Sequence, residues 1–231
     1  MCRPYSYLPK LRGLALVFVL LQAATAGRAQ NQESRGPETR YFDVSVDGSK
    51  AGTYQMTFQT QPDGTIKVTH QARVRYTSLA VFRYTYTFDG TEVWKNGQLQ
   101  QWDCTANDNG TRYATTGRRD DKGFRVKVND KERLVRPDFW LTTYCFTPEV
   151  QMWGENHRLI EADTGKEMRS SLNFIAGEER VFAGRKAVCA HMRLRGSAHV
   201  DLWYDAQGRL AHQESVEDGH RMVLQLSVIE R

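Results

Sequence analysis

The side chains whose types and spacing best suit metal or acid–base chemistry are His191, His199 and Asp201. Two imidazoles and a carboxylate form a zinc-type donor set, and residues two apart share a face on an extended chain. On a strand, His199 and Asp201 point the same way, with Trp203, while His191 lies on the polar side of the preceding segment with Cys189. A hairpin about Gly196-Ser197 would bring His191 near His199 or Asp201. Their plainer reading is cross-strand polar pairs on a wet face. The run Thr105-Ala106-Asn107-Asp108-Asn109-Gly110 offers oxygen donors. A calcium loop needs more carboxylates at alternating positions, and Asn, Asp and Gly in a row are what a tight turn requires. Cys145 and His157 are a nucleophile and a base whose spacing fixes no geometry, and His70, on the apolar side of its segment, reads as a satisfied core histidine. No G-x-S-x-G, G-x-G-x-x-G, phosphate-binding loop or H-E-x-x-H occurs, so no catalytic residue is assigned and no cofactor is expected.

Phe82, Tyr84, Tyr86 and Phe88 form an aromatic stripe, to which Trp94, Trp102, Trp140 and Trp153 add. They read either as an ordinary core or as the lining of an apolar cavity left by a curved sheet and capped by residues 137–156. Such a cavity suits an acyl chain, an isoprenoid or another amphipathic ligand. Residues 111–136 carry nine basic side chains, Arg119 and Arg125 among them, against four acidic ones. They form a solvated hairpin surface or, at the cavity mouth, a contact for an anionic headgroup.

These side chains need elements to place them. Turn pairs recur at Asp47-Gly48, Asp63-Gly64, Asp89-Gly90, Asn96-Gly97, Asn109-Gly110, Lys122-Gly123, Thr164-Gly165, Ala183-Gly184, Gln207-Gly208 and Asp218-Gly219. Asn-Gly and Asp-Gly reach the positive φ of two-residue hairpin turns. Between the turns apolar residues alternate, as in Tyr54/Met56/Phe58, Ile66/Val68/Ala72/Val74, Val188/Ala190/Met192/Leu194 and Met222/Leu224/Leu226/Val228. Period two without a helical stripe predicts an all-β chain of about a dozen strands. Burying one face of so many strands calls for a strongly curved antiparallel meander, forming a barrel-like or half-open barrel sheet. Alternation fails over residues 137–156, predicted as a short helical or irregular crossover that seals one end and divides the domain near 137–156.

Residues 1–29 read as a cleavable signal peptide. Arg3, Lys10 and Arg12 flank the start, an apolar run covers 14–24, and Gly27-Arg28-Ala29 fits the small-x-small cleavage pattern. The run is about a dozen residues against the roughly 20 of a membrane span, and no cysteine follows it to take a lipid. A flexible leader over 30–39 and a single all-β domain over 40–231 are expected beyond it, exported to the periplasm or secreted, with no transmembrane anchor. Four of the 32 basic residues and none of the 27 acidic ones lie in the signal segment, so the net charge of +5 falls to 28 against 27, or +1. That balance argues against nucleic acid as a partner. Cys104, Cys145 and Cys189 remain, with no C-x-x-C pair, so at most one disulfide is expected and neither a thiol redox site nor a zinc knuckle.

Several segments recur together in a recognisable order. They are Tyr41-Phe42-Asp43-Val44 before Asp47-Gly48 and Gly52, Phe82-Arg83-Tyr84, Glu92-Val93-Trp94-Lys95-Asn96-Gly97-Gln98-Leu99, and Thr105 to Gly110. Thr164-Gly165-Lys166, Leu202-Trp203-Tyr204-Asp205 and Gly208-Arg209-Leu210 follow. In this set the chain resembles a family of exported bacterial proteins catalogued as domain of unknown function 6134. The resemblance implies a periplasmic protein similar in layout to envelope proteins whose half-barrel sheets hold acyl chains or lipoproteins. It carries no catalytic residues over, and Cys145 stands where it implies a tryptophan. A non-enzymatic binding or carrier module for an apolar or amphipathic ligand, such as a lipid, is the leading expectation. The alternatives are an envelope hydrolase or metal-dependent enzyme using His191, His199 and Asp201, and a structural or assembly protein of the cell envelope.

Overall fold

The computed structural model describes residues 36–78, 82–148, 153–217 and 219–231, without the side chains of Ser78, Phe82 and Glu155. The expected signal segment and most of the expected leader lie outside these residues, as does part of the crossover. The alternating segments form β1 (Glu38–Val46), β2 (Ser49–Thr60), β3 (Ile66–Ser78), β4 (Phe82–Lys95), β5 (Gln98–Asp108), β6 (Thr111–Asp120), β7 (Gly123–Val128) and β8 (Lys131–Val135). Within the crossover lies β9 (Phe139–Leu141), and β10 (Gly154–Ile160), β11 (Glu167–Phe182), β12 (Arg185–Gly196), β13 (Val200–Tyr204), β14 (Leu210–Glu217) and β15 (His220–Glu230) complete the chain. No helix occurs among the described residues.

All fifteen strands hydrogen-bond into one sheet, in the order β8-β7-β6-β5-β4-β3-β2-β1-β15-β14-β13-β12-β11-β10-β9. Every pairing is antiparallel except β9 with β10, which is parallel. The first and last strands pair, Val44 opposite Leu224, so the two halves of the chain join there and leave β8 and β9 as the edges. The sheet is strongly curved, because residues far apart in its strand order touch. The Trp102 indole N–H of β5 and the Cys104 thiol both donate to the carbonyl of Ala162, in the turn between β10 and β11, and the Thr115 hydroxyl of β6 donates to the Asp163 carbonyl. The expected half-open barrel is what forms.

Its inner face is the apolar half of each alternation. Phe42, Met56, Val68, Trp102, Val126 and Leu226 are all fully buried. The crossover is irregular and plugs this interior. Trp140, Leu141, Tyr144 and Cys145 are buried, Phe139 packs on Trp102 and Phe124, and Phe146 packs edge-on against Trp94 and Phe58. Each large apolar side chain removed from water in this way contributes about 1.5–3 kcal/mol, which adds to the β9–β10 pairing in holding a largely irregular segment.

Two sequence expectations are corrected. Asp89-Gly90 is not a turn but the middle of β4. Gly90 faces His70 on the neighbouring strand, and the Phe88 ring lies where a Cβ would project, so the glycine is a packing requirement. The stripe Val188 to Leu194 does not lie on one buried face either. Val188 is exposed while Cys189, His191 and Met192 are all buried. The long β11–β12 hairpin bends over the outside of the sheet, where the Ala183 amide bonds to the Leu226 carbonyl and the Gln225 side chain bonds to the Val181 carbonyl. Trp203, Ala211 and His191, on what alternation marks as the wet face, are covered as a result.

Candidate functional site

Beneath that hairpin, β12 and β13 pair with Arg193 opposite Asp201 and His191 opposite Trp203. His191 is held between two carboxylates, Nδ1 2.7 Å from Glu178 and Nε2 2.6 Å from Asp201. Its ring stacks on Trp203 at 4.2 Å, and the Trp203 indole N–H bonds to Glu178 at 2.8 Å. Asp201 also accepts from Arg193 and Arg195. Burial alone would raise the Asp201 carboxyl, but bonds from Arg195, Arg193 and His191 hold it below its usual value. The structure thus brings His191 and Asp201 together. His199 is exposed and does not join them, sharing instead a shallow open depression with Asp201, Arg195 and Arg221. Among the described residues, these three do not gather as ligands, although His191 and Asp201 touch.

The aromatic stripe points inward, and its exposure is graded. From Glu92 and Phe88, both buried, the row passes to Tyr86 and Tyr84, both half-buried, at one end of the inner face. The Phe82 side chain falls outside the described residues. The Tyr86 hydroxyl donates to Asp163 at 2.9 Å, and Asp108, opposite Tyr86 on β5, lies beside Tyr84. Burial first, then these carboxylates, raise both phenols. The Tyr84 hydroxyl donates to Asp108. Trp140 lies within the plug rather than at this end.

The basic residues expected at the mouth are elsewhere. Arg125 points outward on β7, paired with Asp120 and Glu132. Arg119 donates to the Leu99 carbonyl, and Leu99 pairs with Trp94, at the opposite end of β4 from Tyr84. Alternation turns the first outward, and strand register carries the second away. The Thr105 to Gly110 segment ends β5 in a hairpin turn, with Asn109 at φ 48° and the Gly110 amide bonded to the Asn107 side chain.

A third group, in the closed interior, was not assembled from sequence. His70 of β3 and Glu92 of β4 face each other with Nε2 and Oε1 3.0 Å apart, both side chains almost fully inaccessible. The Tyr54 hydroxyl bonds to His70 Nδ1 at 2.7 Å. The second oxygen of Glu92 accepts from the Trp94 indole at 2.7 Å and from the Cys145 thiol at 3.2 Å. Burial would raise Glu92, but His70, Thr143 and Trp94 keep it below its usual value. Burial and the Glu92 charge push the Cys145 thiol well above its own. The signal in the sequence was Glu92 itself, two residues beyond Gly90 in phase with the inward aromatic row. Cys104, Cys145 and Cys189 are all free and buried, with Cys104 pushed up to about 12 and Cys189 to about 11 by burial.

Comparison with known proteins places these features. The family model of the domain of unknown function DUF6134 matches residues 42–227. No curated protein matches the chain. Among solved structures, a β-barrel-like protein of the domain of unknown function DUF1849 from Brucella abortus is similar in fold, with a TM-score of 0.59 at 9% identity. That similarity covers 84% of this chain and 97% of the other.

Proposed function

The chain belongs to the family of the domain of unknown function DUF6134, and on that premise we propose that it is an exported, periplasmic, non-enzymatic binding or carrier module for an apolar or amphipathic ligand. The observation that carries this reading is the graded inner row. A curved sheet, plugged by Trp140, Tyr144 and Cys145, ends in half-buried Tyr86 and Tyr84, whose hydroxyls donate to Asp163 and Asp108. Aromatic walls with a few polar groups are the usual lining of a ligand site. The nearest charges are Asp108 and Asp163 rather than Arg119 or Arg125. A neutral or cationic head therefore suits this end better than an anionic one. The enzyme alternative needs a reachable base, and His191 has both ring nitrogens engaged and a face covered by Trp203.

Titration with N-phenyl-1-naphthylamine, a neutral apolar fluorophore, tests the reading. Saturable binding is expected, weakened about tenfold in Tyr84→Ala/Tyr86→Ala, the equivalent of about 1.4 kcal/mol. Absent or non-saturable binding, or equal affinity in a variant with unchanged far-ultraviolet circular dichroism, would overturn it.

A further inference from the structure

We propose that His70 Nε2, Glu92 and Cys145 Sγ form a buried three-ligand zinc site that ties the crossover to the sheet. The ligand atoms of these three buried residues all lie within 4.8 Å of one another. In a tetrahedral site with bonds of about 2.0–2.3 Å, neighbouring ligand atoms lie roughly 3.3–3.7 Å apart. Here His70 Nε2 is 3.0 Å from Glu92 Oε1, and Cys145 Sγ is 3.2 Å from Glu92 Oε2. The two contacts use different oxygens of Glu92, so the carboxylate turns one of them toward both partners when a single ion takes all three ligands.

The second observation is that the atoms facing this point are poorly satisfied. His70 Nε2 and Glu92 Oε1 are close but misaligned, and neither makes a properly directed hydrogen bond although both are inaccessible to water. The Thr143 hydroxyl lies against both Glu92 and Cys145. Two misaligned polar atoms closed to water at one point are unusual in a folded interior. An ion would satisfy the nitrogen and the carboxylate oxygen together.

The surroundings are those of a metal ligand set. A ligating imidazole holds its other ring nitrogen against an oxygen partner, which fixes the tautomer. Here Tyr54 lies 2.7 Å from Nδ1 and would accept its proton. Thiolate, carboxylate and neutral imidazole suit zinc by softness and charge. On loading, the Cys145 thiol proton and any proton on Nε2 leave to solvent. One thiolate and one carboxylate then balance the two positive charges, so the closed interior gains no net charge. Glu92 sits on β4, His70 on its paired neighbour β3 and Cys145 in the plug, so the ion would cross-link the plug to a strand pair of the sheet.

The full chain is expressed in medium supplemented with zinc and, separately, with cobalt. Elemental analysis is expected to give about one zinc per chain. The cobalt form is expected to show tetrahedral visible bands and a thiolate-to-metal absorption. Cys145→Ala should abolish that absorption and lower bound metal by about tenfold or more, whereas Cys189→Ser should leave both unchanged. Metal below about a tenth of an equivalent in the wild-type chain, or a thiolate band that persists in Cys145→Ala or vanishes in Cys189→Ser, overturns the assignment. The wild-type measurements decide it even where a variant fails to fold.

Discussion

Replacing Glu92 by alanine probes the network that holds the plug in place. The carboxylate faces His70 at 3.0 Å and accepts from Trp94 at 2.7 Å and Cys145 at 3.2 Å. Its removal leaves an imidazole and a thiol in a region closed to water, and an indole N–H without its acceptor. Deleting a buried carboxylate from its hydrogen-bonding partners costs about 3–5 kcal/mol, because those partners stay buried and uncompensated. Recovery of the desolvation cost of Glu92 itself is already contained in that range. Against a total stability of about 5–15 kcal/mol, the variant keeps its fold but loses a large share of its margin. Urea unfolding followed by tryptophan fluorescence, with chelator present so that bound metal adds nothing, is the assay. With a slope of about 2 kcal/mol per molar, the midpoint should fall by roughly 2 M at unchanged slope. Glu92→Gln retains an acceptor for Trp94 and Cys145, and should lose about half as much. A midpoint shift below about 0.5 M for Glu92→Ala would refute the reasoning, since the buried donors would then have found other partners at no cost.

Other outcomes follow from the same contacts. Glu92 and Asp201 are both held below their ordinary values in the folded chain. Their stabilisation is complete above the unfolded values of about 4, and is lost as the pH falls through the lower folded values. The melting temperature should therefore drop steeply below about pH 4, and a temperature flat to pH 3 would contradict this. Gly117→Ala places a methyl 2.1 Å from the Trp102 ring and 2.6 Å from that of Phe124, so thermal melts should show about 1–3 kcal/mol of destabilisation by overpacking. Cys104, Cys145 and Cys189 are buried with raised thiols. A mapped reaction with an aromatic disulfide reagent at pH 8 should leave all three unmodified until denaturant is added, and prompt labelling of Cys145 in the native chain would contradict its position.

The parts of the fold legible in the sequence are those set by local chemistry. Asp47-Gly48, Asn96-Gly97 and Asn109-Gly110 all have positive φ, as their side chains allow, and each joins two consecutive strands. Tyr54, Met56 and Phe58 face inward as period two requires. The misreadings have tertiary causes. Gly90 resembles a turn residue but answers to the Phe88 ring. Val188 and Val228 belong by pattern to buried stripes yet are exposed, the first on the bent hairpin and the second opposite Tyr41, beside a bulge at Ser227 in β15. Of the candidate site, the meeting of His191 with Asp201 followed from a hairpin register, whereas the departure of His199 did not. Cys145 reaches Glu92 only because the plug folds back across the inner face, with Tyr144 at φ 49°. Nothing in the spacing of His70, Glu92 and Cys145 encodes that return.

The proposed binding role is tested most directly by native mass spectrometry of the protein purified from the envelope of its own cells, without detergent exchange. The expected spectrum contains a population heavier than the chain by the mass of one small apolar or amphipathic molecule. That population should be depleted in Tyr84→Ala/Tyr86→Ala and unchanged in Arg125→Ala, whose side chain points outward. A spectrum of bare chain alone, or an adduct indifferent to the tyrosine changes, would contradict it.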